Sequence, residues 1–403
     1  MRPLHFYLLG TGSWFLAFGI QGVTFAWLVT MVLNETPEKV GVAQMSLLLP
    51  GTLLILIGGS YADRFGARRV ALLAQSLATV APLLLLTLVA AGRLSFATMI
   101  GYAVLMGCAQ AFVTPARDGL LSQVAEGRVQ RTVMLTSMSQ FGLQVIGFLV
   151  ASLADVAGPE PILLIQALVL SVGVFGFSRI ANDRHSIDAV APRLLRSLVE
   201  GGRTVFSSPA MRMIVVQNMC MGFFFMGSYI VTMPLLVREV YAGGASDLGL
   251  MNAFNSLGLV TTVILLLRLG DIHRQGRALL LSQAAGSLVL CAAALAPSFP
   301  LYVVSLFFWG VCGGVAMTMS RTIMQEQAPV AQRSRVMSFY SFSFFGAGPV
   351  GAVLNGLLVE SFGPRNALMV CATAMLLIIT LVGIRSSLWR LEGQSVEPAV
   401  AQA

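Results

Sequence analysis

The residues most able to do chemistry lie in one short charged stretch, Gly58 to Arg69, which reads Gly-Gly-Ser-Tyr-Ala-Asp-Arg-Phe-Gly-Ala-Arg-Arg. Long apolar runs precede and follow it, so it is predicted to connect a helix ending near Gly59 to one beginning near Val70, at a membrane surface. Gly66 permits a tight turn, and Asp63 can accept hydrogen bonds from a helix N-terminus or an arginine. The chemistry indicated is electrostatic contact between helix ends. The alternative is a polar turn with no further role.

Composition places the chain in a lipid bilayer. Of its 403 residues, 57% are hydrophobic and only 10% are charged, which excludes a soluble globule of ordinary composition. Apolar runs of about 20 residues cross a hydrocarbon core of roughly 30 Å as helices. The five cysteines and three histidines show no metal-ligand spacing. Because a nucleotide-binding loop and a catalytic triad spacing are also missing, the sequence predicts no enzyme, no cofactor and no metal site.

Twelve membrane-spanning helices are predicted, in two groups of six. Residues 1–180 hold the first group and residues 211–385 hold the second. Between them, residues 181–210 form a charged cytoplasmic linker with an amphipathic surface helix from Leu194 to Phe206. Residues 386–403 are predicted to form a disordered tail.

The distribution of basic residues predicts the orientation. An even number of spans places both termini and the linker on one side of the membrane. All of the 25 basic residues lie on that side except Lys39, Arg93, Arg238 and Arg365. Since the more basic side is cytoplasmic, both termini are predicted to be in the cytoplasm. The net charge of +8 is therefore assigned to topology and contact with membrane lipids rather than to nucleic acid.

The two groups of six repeat each other. Three polar residues recur 204 positions later, namely Arg117, Gln123 and Arg131 as Arg321, Gln327 and Arg335. The charged stretch has an echo between the eighth and ninth helices, which keeps Asp271, Gly276 and Arg277. Two related halves of this kind can present one central site to each side of a membrane in turn.

The charged stretch resembles the signature of the major facilitator superfamily, Gly-x-x-x-Asp-Arg-x-Gly-Arg-Arg, which lies between the second and third helices. Ala67 is one extra residue before the arginine pair of this pattern. The six residues that match it are Gly59, Asp63, Arg64, Gly66, Arg68 and Arg69. The resemblance covers residues 7–385. It implies an all-α integral membrane fold of twelve helices in two pseudo-symmetric six-helix halves.

A more specific resemblance is to bacterial exporters of drugs, siderophores and lysolipids. It rests on Trp27, Pro37 and the end of helix four from Thr114 to Arg117. The antiporter signature Gly-x-x-x-Gly-Pro-x-x-Gly is absent from helix five, and a similar pattern stands instead at Gly346 to Gly351 on helix eleven. This displacement argues against proton–drug antiport.

The resemblance also implies a conformational latch, in which Asp63 bridges the two halves when the cytoplasmic side is closed. Its partner is expected near Arg335 to Phe339, at the start of helix eleven, where free backbone N–H groups attract an anion. The latch is assigned to the charged stretch, its echo and the repeated arginines: Gly59, Asp63, Arg64, Gly66, Arg68, Arg69, Arg117, Asp118, Arg131, Asp271, Gly276, Arg277, Arg321 and Arg335.

The resemblance also implies a substrate cavity lined mainly by helices one, four, seven and ten, and flanked by helices two, five, eight and eleven. On that basis we assign to the cavity Gln21, Trp27, Gln110, Gln144, Asn218, Tyr229, Asn252, Asn255, Trp309 and Asn355. For any single amide, hydrogen bonding between helices is an equal alternative. A neutral cavity rich in aromatic and methionine residues favours an amphipathic or uncharged ligand over a sugar phosphate.

Coupling to protons requires a titratable group, yet no carboxylate lies in the middle of a predicted span. Asp118 or Asp63 is the candidate if transport is proton-driven, and otherwise coupling is absent. We expect a monomeric secondary transporter of the bacterial inner membrane that works by alternating access and exports or flips a hydrophobic or amphipathic small molecule. The alternatives are a proton-coupled nutrient uptake symporter and a non-transporting membrane sensor of the same fold.

Overall fold

The computed structural model describes residues 3–125, 129–181, 194–269, 272–329 and 332–391, apart from a few side chains. These residues form helices joined by short turns: α1 (Pro3–Trp27), α2 (Pro37–Phe65), α3 (Ala67–Ala90), α4 (Phe96–Val124), α5 (Val129–Ala151), α6 (Ala154–Ala157), α7 (Pro159–Ser178), α8 (Leu194–Ser207), α9 (Pro209–Met221), α10 (Met233–Tyr241), α11 (Ala245–Leu269), α12 (Gln275–Leu295), α13 (Phe299–Gln327) and α14 (Arg333–Arg385).

Within the described ranges, ten helical stretches are long and apolar enough to cross a membrane. One of them, Pro209–Tyr241, joins α9 to α10 through two π-helical turns. Another, Arg335–Arg385, is two helices that meet at Gly363, where φ is 77°. The 29 residues of α2 also exceed the thickness of the hydrocarbon core at 1.5 Å per residue. Twelve spans result, in agreement with the predicted all-α membrane fold.

The two halves, α1–α7 and α9–α14, follow the predicted repeat. α4 and α13 are both 29 residues long, and Phe96 and Phe299, which begin them, are 203 positions apart. Gly158 and Gly363, which both have a positive φ at the start of the last helix of a half, are 205 positions apart. The repeat therefore sets the positions of the helices as well as of the arginines.

Glycine contacts bring equivalent helices of each half together. A Cβ atom on Gly147 of α5 would stand 2.3 Å from the carbonyl oxygen of Leu16 in α1. At the position 204 residues later, a Cβ atom on Gly351 of α14 would stand 2.6 Å from the carbonyl oxygen of Phe223. Both crossings need glycine, because backbone meets backbone there.

The charged stretch is more helical than predicted. α2 continues through Phe65 and α3 begins at Ala67, so Gly66 alone lies between them, at φ 92° and ψ 130°. The prediction of a connection from Gly59 to Val70 was wrong, because no glycine or proline interrupts residues 60–65. The tight turn at Gly66 is confirmed, and its positive φ explains the glycine.

The helix α8, which belongs to the predicted linker, packs on the start of α14. Its Val205 is fully buried, and Gly201 lies against the backbone of Arg335. The rings of Phe206 and Phe339 meet edge to face, 6.0 Å between centroids. Residues 182–193 of the predicted linker lie outside the described residues.

Residues 386–391 of the predicted tail are ordered, which corrects the prediction of disorder from residue 386. Ser387–Arg390 form a 3-10 turn, and Leu388 is fully buried. The Gly276 N–H donates to the Leu391 carbonyl at 3.3 Å. Leu388 and Trp389 supply the apolar surface that holds this segment against α12. Residues 392–403 lie outside the described residues.

Candidate functional site

A cavity of about 430 Å³ lies inside the second half of the molecule. Its lining residues come from α9 and the π-helical turns after it, and from α11, α12, α13 and the first part of α14. This volume is within the range of sites that hold drug-sized ligands. The walls are mostly apolar, with aromatic rings and methionines prominent among them: Met221, Phe225, Met226, Tyr229, Trp309, Met317, Tyr340, Phe344 and Phe345.

Two features of α13 create this space. Gly313 lines the cavity and leaves it unfilled, because glycine has no side chain and the nearest atom to its Cβ position is 4.0 Å away. Trp309 forms an aromatic cluster nearby, with its ring centroid 5.8 Å from that of Phe225 and 5.9 Å from that of Tyr229. The result is open space bordered by flat apolar rings.

Polar groups in the wall hold α9, α13 and α14 together. The Asn218 side-chain amide donates to the Tyr340 carbonyl at 3.0 Å and to the Ser343 hydroxyl at 2.9 Å. The hydroxyls of Ser320 and Tyr340 share a 2.6 Å hydrogen bond. Satisfied polar groups of this kind give the cavity a fixed shape.

Four of the predicted cavity residues line this cavity: Asn218, Tyr229, Asn255 and Trp309. Asn252 lies next to it and accepts a hydrogen bond from the Tyr229 hydroxyl. Asn355 instead lies fully buried among helices. Its side chain accepts from Ser228 and Thr232 and donates to the Phe223 carbonyl at 3.1 Å. The alternative of interhelical hydrogen bonding therefore describes the contacts of Asn355.

The other four predicted cavity residues belong to the first half, away from this cavity. Gln21 and Trp27 are buried in α1, while Gln110 of α4 and Gln144 of α5 are half-buried. A cavity between the halves was expected, whereas this one is lined by the second half alone. Their role in substrate binding stays a prediction.

Sequence reasoning missed the contribution of α12 to the cavity. Ser282, Gln283 and Gly286 line it from that helix, which is not among the helices that the family resemblance assigns to a cavity. The available signal was a glutamine in the middle of an apolar span, since an amide there needs a polar partner or a wet surface.

Two arginines assigned to the latch donate hydrogen bonds to carbonyl groups at helix ends of their own half. Arg68 donates to the carbonyls of Phe177 at 3.4 Å and Ser178 at 2.6 Å, at the end of α7. Arg277 donates to the Trp389 carbonyl at 3.3 Å, beyond the end of α14. A guanidinium at a helix C-terminus satisfies carbonyls that lack partners within the helix.

The start of α14, where a partner for Asp63 was expected, contacts the linker helix. Arg335 forms an ion pair with Glu200 of α8. The side chains of Asp63 and Arg131, and Asp271 as a whole, lie outside the described residues. The latch contact therefore stays a prediction.

The remaining latch residues lie around the same membrane end. Gly59 faces Pro115, the Arg64 guanidinium lies over the Phe65 ring at 5.3 Å, and Arg69 is exposed. These positions give the stretch a packed side and a solvent side.

The repeated arginines differ in their surroundings. Arg117 is buried, with its guanidinium over the Phe15 ring at 4.4 Å. Its counterpart Arg321 is exposed and lines the cavity. Asp118 is exposed beside Arg117 and interacts electrostatically with both arginines. Asp118 and Asp63 therefore both stay candidates for coupling to protons.

The halves also meet at the end of the bundle away from α8, which we call the opposite end. The Asp155 carboxylate of the first half accepts hydrogen bonds from the N–H groups of Ala245 and Ser246, both at 2.8 Å. Arg238 of the second half donates to the carbonyls of Thr30 and Glu35, both at 2.9 Å. These contacts join the two halves at the opposite end.

Comparison with known proteins gives one family match and several relatives. The family model described as transmembrane secretion effector, MFS_3, matches residues 6–401. The multidrug efflux pump Tap of Mycolicibacterium fortuitum is 23% identical over 89% of this chain and 90% of its own length. The enterobactin exporter EntS of Shigella dysenteriae is 22% identical over 91% of this chain and 89% of its own length.

Solved structures with the same fold include two transporters. The nucleoside transporter NupG superposes with a TM-score of 0.73 at 13% identity, over 94% of this chain and 98% of that one. A bacterial homologue of the lysosomal transporter Spinster, in an inward-facing and unoccupied conformation, gives 0.70 at 12% identity, over 96% and 97%. At these identities the likeness is one of fold.

Proposed function

Because the chain belongs to the transmembrane secretion effector family of the major facilitator superfamily, we propose that it exports a hydrophobic or amphipathic small molecule by alternating access. It is a multi-pass membrane transport protein rather than an enzyme. The cavity of the second half is its proposed substrate site, and α8 and both termini are on the cytoplasmic side.

The observation that carries this proposal is the chemistry of the cavity wall. Aromatic rings and methionine side chains form most of the wall, and the single charge among the lining residues is Arg321. Apolar walls bind by burying apolar surface, and methionine adapts to ligands of different shapes. One cation disfavours a cationic ligand and tolerates a neutral or anionic one.

The relatives support the direction of transport. One is named as a multidrug efflux pump and another as an enterobactin exporter, and each covers about nine-tenths of this chain. Export of an amphipathic molecule from the cytoplasmic side of the membrane is consistent with both names.

Efflux of the neutral fluorescent amphiphile N-phenyl-1-naphthylamine tests the proposed function. Bacterial cells that overproduce the protein are loaded without an energy source and then re-energised, and the fall in fluorescence is followed. We expect faster clearance than in cells without the protein. Trp309→Ala should raise the half-saturating probe concentration about fivefold, because an aromatic contact contributes about 1 kcal/mol.

Phe308→Ala is the matched control for Trp309→Ala. Phe308 directly precedes Trp309 on α13 but is 53% exposed and does not line the cavity. Its loss should leave clearance unchanged. Equal clearance with and without the wild-type protein would contradict broad apolar export, and equal effects of both substitutions would contradict the assigned cavity.

Reporter fusions test the proposed orientation. A phosphatase that is active only in the periplasm should be silent when fused after Arg390 and active when fused near Lys39, because all but four of the 25 basic residues lie on the side of α8. A reporter that fluoresces only in the cytoplasm should give the reverse pattern. Phosphatase activity after Arg390 would be incompatible with cytoplasmic termini.

A further inference from the structure

Gln283 of α12 lines the cavity, and its side-chain amide has an acceptor to which no described residue donates. The residue lines the cavity and is 3% exposed. Its side-chain oxygen is buried and accepts no hydrogen bond from any described residue. The side-chain nitrogen lies 3.1 Å from the Met221 sulfur.

The contact with Met221 fixes which way the amide faces. An amide N–H can donate to a thioether sulfur, which is a weak acceptor, whereas the amide oxygen and the sulfur would both be acceptors. The nitrogen therefore faces Met221, and the oxygen is the atom without a partner.

A buried acceptor without a partner is unfavourable, and such groups are few in native proteins. Other amides of the cavity wall have donors and acceptors nearby, as Asn218 shows by donating to Tyr340 and Ser343. Gln283 differs because its unpartnered oxygen, although covered, belongs to a side chain in the wall of an apolar cavity. A small rotation of the side-chain amide would let a ligand that carries an N–H or O–H group donate to this oxygen.

The depth of Gln283 places this acceptor beside the aromatic cluster. Gln283 is eight residues into α12, about 12 Å along the helix at 1.5 Å per residue. A Cβ atom on Gly286, about one turn further along α12, would stand 3.7 Å from Cδ1 of the Trp309 ring. A flat ligand packed on Trp309 would therefore have its edge near Gln283.

We propose that Gln283 determines specificity in this cavity, by accepting a hydrogen bond from a neutral, flat aromatic ligand that carries an N–H or O–H group. The proposal rests on the proposed function, because it assigns a substrate class to the same cavity. The hydrogen bond to Gln283 would make the cavity selective for ligands with a donor, which apolar walls alone cannot do, since a site built around a hydrogen bond rejects ligands that lack the donor.

Two probes that differ in one donor test the proposal. Binding of N-phenyl-1-naphthylamine and of its N-methyl derivative, which lacks the N–H, is measured calorimetrically on protein in lipid nanodiscs. Empty nanodiscs give the contribution of lipid partitioning. We expect the wild-type protein to bind the N–H probe about tenfold more tightly than the methylated one, since an unsatisfied buried acceptor separates the two complexes.

Gln283→Leu should remove this preference. Its affinity for the N–H probe should fall to that for the methylated probe, while the methylated probe binds as tightly as before or more tightly. Gln217→Leu is the matched control, because Gln217 of α9 is equally buried with an unpartnered amide but does not line the cavity. That variant should keep the tenfold preference. Size-exclusion profiles confirm that both variants fold.

The possible results distinguish the role of Gln283 from the assignment of the cavity as the substrate site. Equal binding of both probes by wild type, or an unchanged preference in Gln283→Leu, would overturn the role of Gln283 and leave the apolar cavity as the substrate site. No binding of either probe above empty nanodiscs would overturn the cavity as the substrate site and the proposal with it.

Discussion

Gly351→Leu is expected to abolish accumulation of the folded protein. A Cβ atom at this position would stand 2.6 Å and 2.7 Å from the carbonyl oxygens of Phe223 and Gly222, and 2.8 Å from the Phe223 Cα. All three are backbone atoms, so no side chain can move aside. Forcing the helices apart costs about 3 kcal/mol or more, a large part of a typical folding free energy of about 5–15 kcal/mol.

The expected result is loss of the monodisperse peak when detergent-solubilised protein is followed by fluorescence-detected size exclusion. Gly147→Leu, at the equivalent crossing in the first half, should behave in the same way because its Cβ would lie 2.3 Å from a backbone oxygen. Gly142→Leu is the control, since Gly142 is exposed on α5 with nothing within 4 Å of its Cβ position. A wild-type peak for Gly351→Leu would show that α14 does not cross at this distance.

The glycine crossings show how far the sequence could predict the fold. The twelve spans and their order follow from apolar run length, because each helix must match the thickness of the bilayer. The repeat was found from Arg117 and Arg321, although Gly147 and Gly351 carry it equally. Glycines were not distinguishable as contact residues, since the sequence contains 40 of them and only tertiary packing selects a few.

The types of residue that line the candidate site could be predicted from the sequence, but the position of the site could not. Neutral polar residues and aromatic rings in the second half were expected to line a cavity, and Asn218 and Trp309 do. Asn355 has the same residue type in a similar span and, like Asn218, bonds to a neighbouring helix, but it does not line the cavity. Residue type alone cannot separate the two cases, because a buried amide can be satisfied by either a helix or a cavity.

Asp155→Asn is expected to open the opposite end of the molecule. The Asp155 carboxylate accepts two backbone N–H groups and the Ser246 hydroxyl at 3.0 Å, at the N-terminus of α11. Removing the charge weakens its contact with the helix dipole and leaves one acceptor oxygen instead of two. Because Asp155 is exposed to solvent, we expect a loss of about 1 kcal/mol, which is roughly a fivefold shift between two states.

Asp247→Asn is the matched control for this substitution. Asp247 carries the same charge at the same helix terminus and accepts from the Gly244 N–H at 3.0 Å, but both residues belong to the second half. It should leave the equilibrium between the two states unchanged. Arg238→Gln, which weakens the other contact between the halves, should shift the equilibrium in the same direction as Asp155→Asn.

Distances between spin labels test alternating access most directly. In a background without the five native cysteines, one pair of labels at Val156 and Phe362 reports on the opposite end, where these residues are 92% and 58% exposed. A second pair at Arg69 and Arg333, both exposed, reports on the end that carries α8. In nanodiscs, Asp155→Asn should add a longer distance to the first pair and a shorter distance to the second, measured by double electron–electron resonance. Distributions that stay unchanged in both pairs, or that lengthen together, would contradict alternation between the two ends.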